Sequence, residues 1–165
     1  MKQSPALPSG TNRTYIVLVS LLTFILPVCC FLLEHVTQGS PLTFAQCCKW
    51  FIFSAVGLRL FLAGIRQSTK PAFTAREIFH IEGSESFPIV RELGFANLCF
   101  GLVGILSLFR PEWRIVSAFA SGLYYGIAGV QHLVKKPVGA NERFALWTDL
   151  IIFAVLALYF FMNFD

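Results

Sequence analysis

Apolar runs of about twenty residues, repeated five times with short polar breaks, constrain this chain more than any other feature. They are residues 14–33 (TYIVLVSLLTFILPVCCFLL), 44–65 (FAQCCKWFIFSAVGLRLFLAGI), 89–109, 115–134 (IVSAFASGLYYGIAGVQHLV) and 145–162 (ALWTDLIIFAVLALYFFM). A hydrocarbon layer roughly 30 Å thick is crossed by about 20 apolar helical residues, because each residue rises 1.5 Å. Five such segments in 165 residues leave no length for a sizeable soluble domain. The composition, 56% hydrophobic against 13% charged with a mean hydropathy of +0.68, agrees. The expected fold is an all-α integral membrane helical bundle of five transmembrane helices, a single domain over residues 1–165 whose first partner is the lipid bilayer.

The net charge of +4 says less than the placement of its charges. Basic residues stand singly or in pairs beside apolar segments, without the stripe that nucleic acid binding needs, so no nucleic acid partner is expected. Lys2, Arg13, Arg66, Lys70, Arg76, Arg91, Lys135, Lys136 and Arg143 fall on one side of a five-span arrangement, and Lys49, Arg110 and Arg114 on the other. By the positive-inside rule this nine-to-three bias places the N-terminus in the cytoplasm and the C-terminus in the periplasm, with a bacterial inner membrane as the expected location. Segment one follows Lys2 and Arg13 as a signal peptide would, but it is long and lacks a small-x-small cleavage site, so it is expected to stay as an anchor, kinked at Pro27.

One long connection, residues 66–88, carries local order. Thr74 and Glu77 have capping-box spacing, and Phe73 and Ile78 occupy the positions of a hydrophobic staple. These predict a short interfacial helix at about 75–80 on the cytoplasmic surface, serving as a linker or as a lid.

Ionisable groups inside the spans fall at one level. Arg59, Glu92, His132 and Asp149 each lie within roughly 10 Å of the expected cytoplasmic interface, counting 1.5 Å per residue. Charges in apolar helices turn inward and pair, which makes Arg59 the natural counter-ion of Glu92 or Asp149. Small residues add direction: Gly94, Asn97, Gly101 and Gly104 form one stripe of segment three, and Gly122, Gly126 and Gly129 another on segment four. Such stripes permit close helix approach, so segments three and four are expected to touch there, with Asn97 bonding across the seam. Ser121, Tyr125 and His132 form a polar ladder beside the second stripe. Glu92 points about 140° away from Asn97 at 100° per residue, which directs it to Arg59 or to the surface helix.

Cysteines form a second constellation. Cys29 and Cys30 face Cys47 and Cys48 across a short loop, so a disulfide between the pairs is sterically open in an oxidising compartment, while Cys99 reads as core. Adjacent pairs are not the Cys-x-x-Cys of redox enzymes, and buried cysteine often serves as a small hydrophobe. No zinc spacing, phosphate loop or nucleophile elbow is present, and neither metal nor cofactor is expected.

The stretches KWFIFSAVGLRLFLAGIRQ, FTAREIF, PIVRELGFANL, GLYYGIAGVQHL, Asn141-Glu142 and TDLIIF resemble a family of small bacterial membrane proteins catalogued as a domain of unknown function, over about residues 49–162, with ELGFANL the most specific element. The resemblance implies a helical membrane bundle and draws attention to Arg59, Glu92, Asn97, Gln131, His132, Asn141, Glu142 and Asp149; it implies no activity. The four-helix core also loosely resembles DoxX-type membrane proteins, some of them linked to quinone or thiol oxidation.

The sequence therefore points to a protein that binds or transports a small molecule, a lipid or protons through a pocket near the cytoplasmic side, lined by Arg59, Glu92, His132, Asp149, Asn97 and Tyr125. A quinone-linked thiol oxidoreductase and a non-catalytic accessory subunit are the alternatives, and a homo-oligomer is compatible with either.

Overall fold

In this computed structural model, residues 12–79, 81–135, 137 and 139–164 are described. Lys2, Lys136 and His80, the last at the end of the predicted surface helix, lie outside the described residues. Six helices follow in order: α1 Arg13–Gln38, α2 Phe44–Thr69, α3 residues 71–78, α4 Phe87–Leu106, α5 Trp113–Lys135 and α6 Ala140–Asn163. A single 3-10 turn, Ser84–Ser86, leads into α4. Segments one to five of the sequence are thus α1, α2, α4, α5 and α6, and no strand occurs among the described residues.

Four of these, α1, α2, α4 with its leading turn, and α6, are long and apolar enough to cross a membrane. At 23 residues α5 has the length, but its serines, tyrosines, Gln131 and His132 dilute its apolar character. The outward faces are greasy: Val36 is 80% exposed and Phe161 78%, a surface that suits lipid and not water.

Most helices outrun the apolar runs that predict them because polar caps extend them. Asn12 accepts from Tyr15 N at 2.9 Å to open α1, and Gly39, at φ 66°, closes it. Thr43 accepts from Gln46 N at 3.2 Å to open α2. The α1–α2 hairpin is further clamped by Glu34, buried and bonded to Lys49, Gln46 and, at 2.6 Å, Trp50 Nε1. By contrast α4 stops at Leu106, three residues short of the expected 109, where the buried Ser107 hydroxyl turns back on Gly104 O at 2.8 Å.

Pro27 shapes α1 through a widened turn. Residues 21–25 are π-helical, and the N–H of Leu26 reaches back to Leu21 O. In that register the carbonyl of Leu22 would wait for an N–H at position 27, which proline lacks. Ser54 of α2 supplies the missing donor, its hydroxyl 2.5 Å from Leu22 O. A second widened stretch, Ile52–Leu58, lies on α2 just before Arg59.

Helix pairing corrects the expected glycine seam. The α4 stripe packs on α2: a Cβ added at Gly101 would stand 2.4 Å from Phe61 N, and one at Gly104 2.7 Å from Gly57 Cα. The α5 stripe packs on α6, against Phe153 and Leu150. The two stripes do not face each other, because helical phase fixes which face of a helix is narrow but not which neighbour takes it. Where α4 meets α5, aromatic rings fill the gap, Phe100 and Tyr124 having centroids 5.6 Å apart. The common core joins Ile52, Ala55 and Val56 of α2 to Tyr125 of α5 and to Ile152 and Leu156 of α6.

The surface helix begins earlier than predicted. Pro71 opens it, its fixed φ suiting the first helical position, so Thr74 lies inside the helix and not at its cap. Thr74 and Ala75 are buried, and this face turns toward the bundle.

Candidate functional site

A cavity of about 360 Å³ opens at the end of the bundle where α2, α5 and the α6 N-terminus meet α3. Its deepest polar group is Arg59. Because the last turns of α2 run on to Thr69, Arg59 stands ten residues from the helix end, about 15 Å along the axis. That is deeper than the sequence boundaries imply.

Arg59 is only 9% exposed. Its Nη2 donates to Asp149 Oδ1 at 2.8 Å and to Thr148 Oγ1 at 3.2 Å, so α2 and α6 are joined across the core. The Tyr125 ring lies 5.2 Å from Arg59 Cζ, and the Tyr125 hydroxyl donates to Ala55 O at 3.1 Å within the widened stretch of α2. One donor is left over: Nη1 is buried and has no hydrogen-bond partner. A guanidinium stays charged in any protein setting, so a buried, unbonded N–H on a residue that lines a cavity is a standing offer to an acceptor.

Around this floor stand two further polar pairs. Asn97 Nδ2 of α4 donates to Gln67 Oε1 of α2 at 2.7 Å, and the same side chain also interacts with Tyr124 of α5, across the seam the sequence had suggested. His132 Nδ1 of α5 lies 3.6 Å from Glu142 Oε1 of α6, both side chains largely buried. Aromatic side chains roof the cavity: Phe73 of α3 lies 6.1 Å from Tyr15, and the Arg66 guanidinium sits 3.6 Å from the Phe73 ring centroid.

Five of the six residues expected at the site line it, namely Arg59, His132, Asp149, Asn97 and Tyr125. Glu92 does not: it is exposed and outside the cavity. The cause is the α4 stripe, which turns Asn97 to α2 and so carries Glu92, about 140° round the helix, outward. Arg66, Gln67, Gln131 and Glu142 are among the other polar residues of the lining. Gln67 falls two turns from Arg59 on the same face of α2, a spacing the sequence displays; Arg66 reads there only as a flanking charge. Arg59, Arg66 and Lys135 meet the carboxylates of Asp149 and Glu142, so the lining carries one more fixed positive charge than negative, before His132 is counted.

All five cysteines are free thiols, and none lines the cavity. Neighbours on a helix point about 100° apart, so each pair divides, with Cys48 in the core and Cys29 on the exposed face.

These features define a helical bundle with four helices apolar enough for a membrane and a mainly apolar cavity with a cationic floor. Its family follows from comparison: the chain belongs to DUF6790, a family of unknown function, whose pattern matches residues 17–164. No curated protein and no solved structure matches the chain.

Proposed function

We propose that this chain is a five-span membrane protein, α5 being the fifth span, which binds a small organic anion in the cavity above Arg59. The observation that carries the reading is that Arg59, with its Nη1 buried and unbonded, lines a cavity of ligand size. Asp149 and Thr148 hold Nη2 and Tyr125 supports the guanidinium plane, so the group is oriented before a ligand arrives and little ordering entropy is lost on binding. A carboxylate on Nη1 would form a charge-assisted hydrogen bond away from water. His132, beside Glu142, is the group suited to exchange a proton with an incoming acid, which would couple binding or transport to protons. With the basic flanks inside, the cavity faces the cytoplasm. The distance of the thiols from the cavity gives the thiol-oxidation reading no support.

Equilibrium dialysis of the protein in lipid nanodiscs with radiolabelled octanoate, and in parallel with its neutral amide, tests the reading. Octanoate should be retained and octanamide not, and Arg59→Gln should lose octanoate while eluting as the same folded species. Equal retention of acid and amide, or of acid by Arg59→Gln, would overturn it.

A further inference from the structure

Five cavity-lining residues are exposed on the bundle surface, Gln131 and Lys135 toward the end of α5 and three apolar ones away from the helix ends. Leu18 of α1, Leu62 of α2 and Ile127 of α5 border the cavity, and all three are exposed on the bundle surface, Ile127 by 67%. They are not at the helix ends. Leu62 stands seven residues before Thr69 and Ile127 eight before Lys135, depths of roughly 10 to 12 Å. In a membrane those side chains meet hydrocarbon and not water. Leu62 follows Arg59 by less than one turn, and Ile127 is two residues from Tyr125, whose ring lies against Arg59. The exposed apolar lining and the cationic floor therefore share a level.

Volume points the same way. A cavity of about 360 Å³ is of the size that holds a small ligand or the head of a larger one. That accommodates a carboxylate and a short tail; a longer tail leaves either through the mouth, past the polar Gln131 and Lys135, or sideways past Leu18, Leu62 and Ile127, and only the second way suits a hydrocarbon chain. A two-chain phospholipid is too bulky for the same space.

We infer that the ligand is a single-chain amphiphile, a long-chain carboxylate that enters sideways from the bilayer, its head bonding Arg59 Nη1 while its tail remains among lipid beside Leu62 and Ile127. This rests on the anion-site reading above and adds the ligand class and the route.

The test uses the full chain in phosphatidylcholine nanodiscs with a hexadecanoate probe bearing a diazirine a few carbons from the carboxylate. Irradiation should label peptides carrying Leu62 or Ile127. Excess hexadecanoate should reduce the labelling at least tenfold, and hexadecanol should not. A Leu62→Trp/Ile127→Trp double variant should lose the labelling while eluting as the same folded species; undiminished labelling would show that the tail does not pass these two side chains. If octanoate binds and hexadecanoate is excluded from the unaltered protein, the site is enclosed and lateral entry is wrong while the anion site stands. If neither acid binds, both readings fall. Competition by hexadecanol as strong as by the acid would remove Arg59 from recognition.

Discussion

Arg59 Nη2 and Asp149 Oδ1 lie 2.8 Å apart across the core, ninety positions apart in sequence, and tie α2 to α6 at the depth of the cavity floor. The two partners are not equivalent when one is removed. A carboxyl left alone can take up a proton and become neutral, whereas a guanidinium cannot discharge. Asp149→Asn should therefore cost about 3–5 kcal/mol, the range for stranding a buried charge, and Arg59→Gln clearly less. Thermal denaturation of the detergent-solubilised variants, followed by size exclusion, reads the order; equal losses would show that Asp149 stays charged when alone.

Ser54 and Pro27 are coupled through Leu22. Ser54→Ala leaves the Leu22 carbonyl without a donor and should cost about 1–3 kcal/mol. In a Pro27→Ala background the backbone N–H at position 27 returns and can serve that carbonyl, so the same change should cost much less. A double-mutant cycle measures the difference, and strict additivity would contradict the account of the widened turn.

The glycine seams should differ in tolerance. Gly101→Ala drives a methyl into the Phe61 backbone and should destabilise by about 1–3 kcal/mol, as overpacking does. Gly122→Ala meets only Leu156 Cβ at 3.4 Å and should be close to neutral. Comparable melting shifts for the two would mean that α4 does not sit on α2 this closely.

Single cysteines report the arrangement of spans. In a cysteine-free background, a membrane-impermeant maleimide added to intact cells should modify Glu112→Cys, in the α4–α5 turn, and should reach Glu82→Cys only after lysis. The reverse pattern would invert the topology and turn the cavity outward.

The pairing of Arg59 was legible in the sequence because an isolated charge in an apolar helix has to find a counter-charge, and few were within reach. The inward positions of His132, Asp149 and Tyr125 were legible for a similar reason: polar groups in lipid-facing helices turn to the interior. What the sequence withheld was relational. It marked the narrow faces of α4 and α5 but not their partners, so the bond of Asn97 to Gln67 of α2 went unforeseen beside its expected contact with α5. The contact of Glu34 with Lys49, Gln46 and Trp50 went unseen because Glu34 lies just past the apolar core of its segment. Arg66 and Phe73 likewise read as flank and linker until α3 folded them over the cavity.

An experimental density map of the protein in nanodiscs equilibrated with octanoate tests the central claim most directly. The account predicts a carboxylate within hydrogen-bonding distance of Arg59 Nη1, with Nη2 still on Asp149. A cavity closed by protein side chains, or octanoate seated elsewhere with Nη1 bonded to the protein, would contradict it.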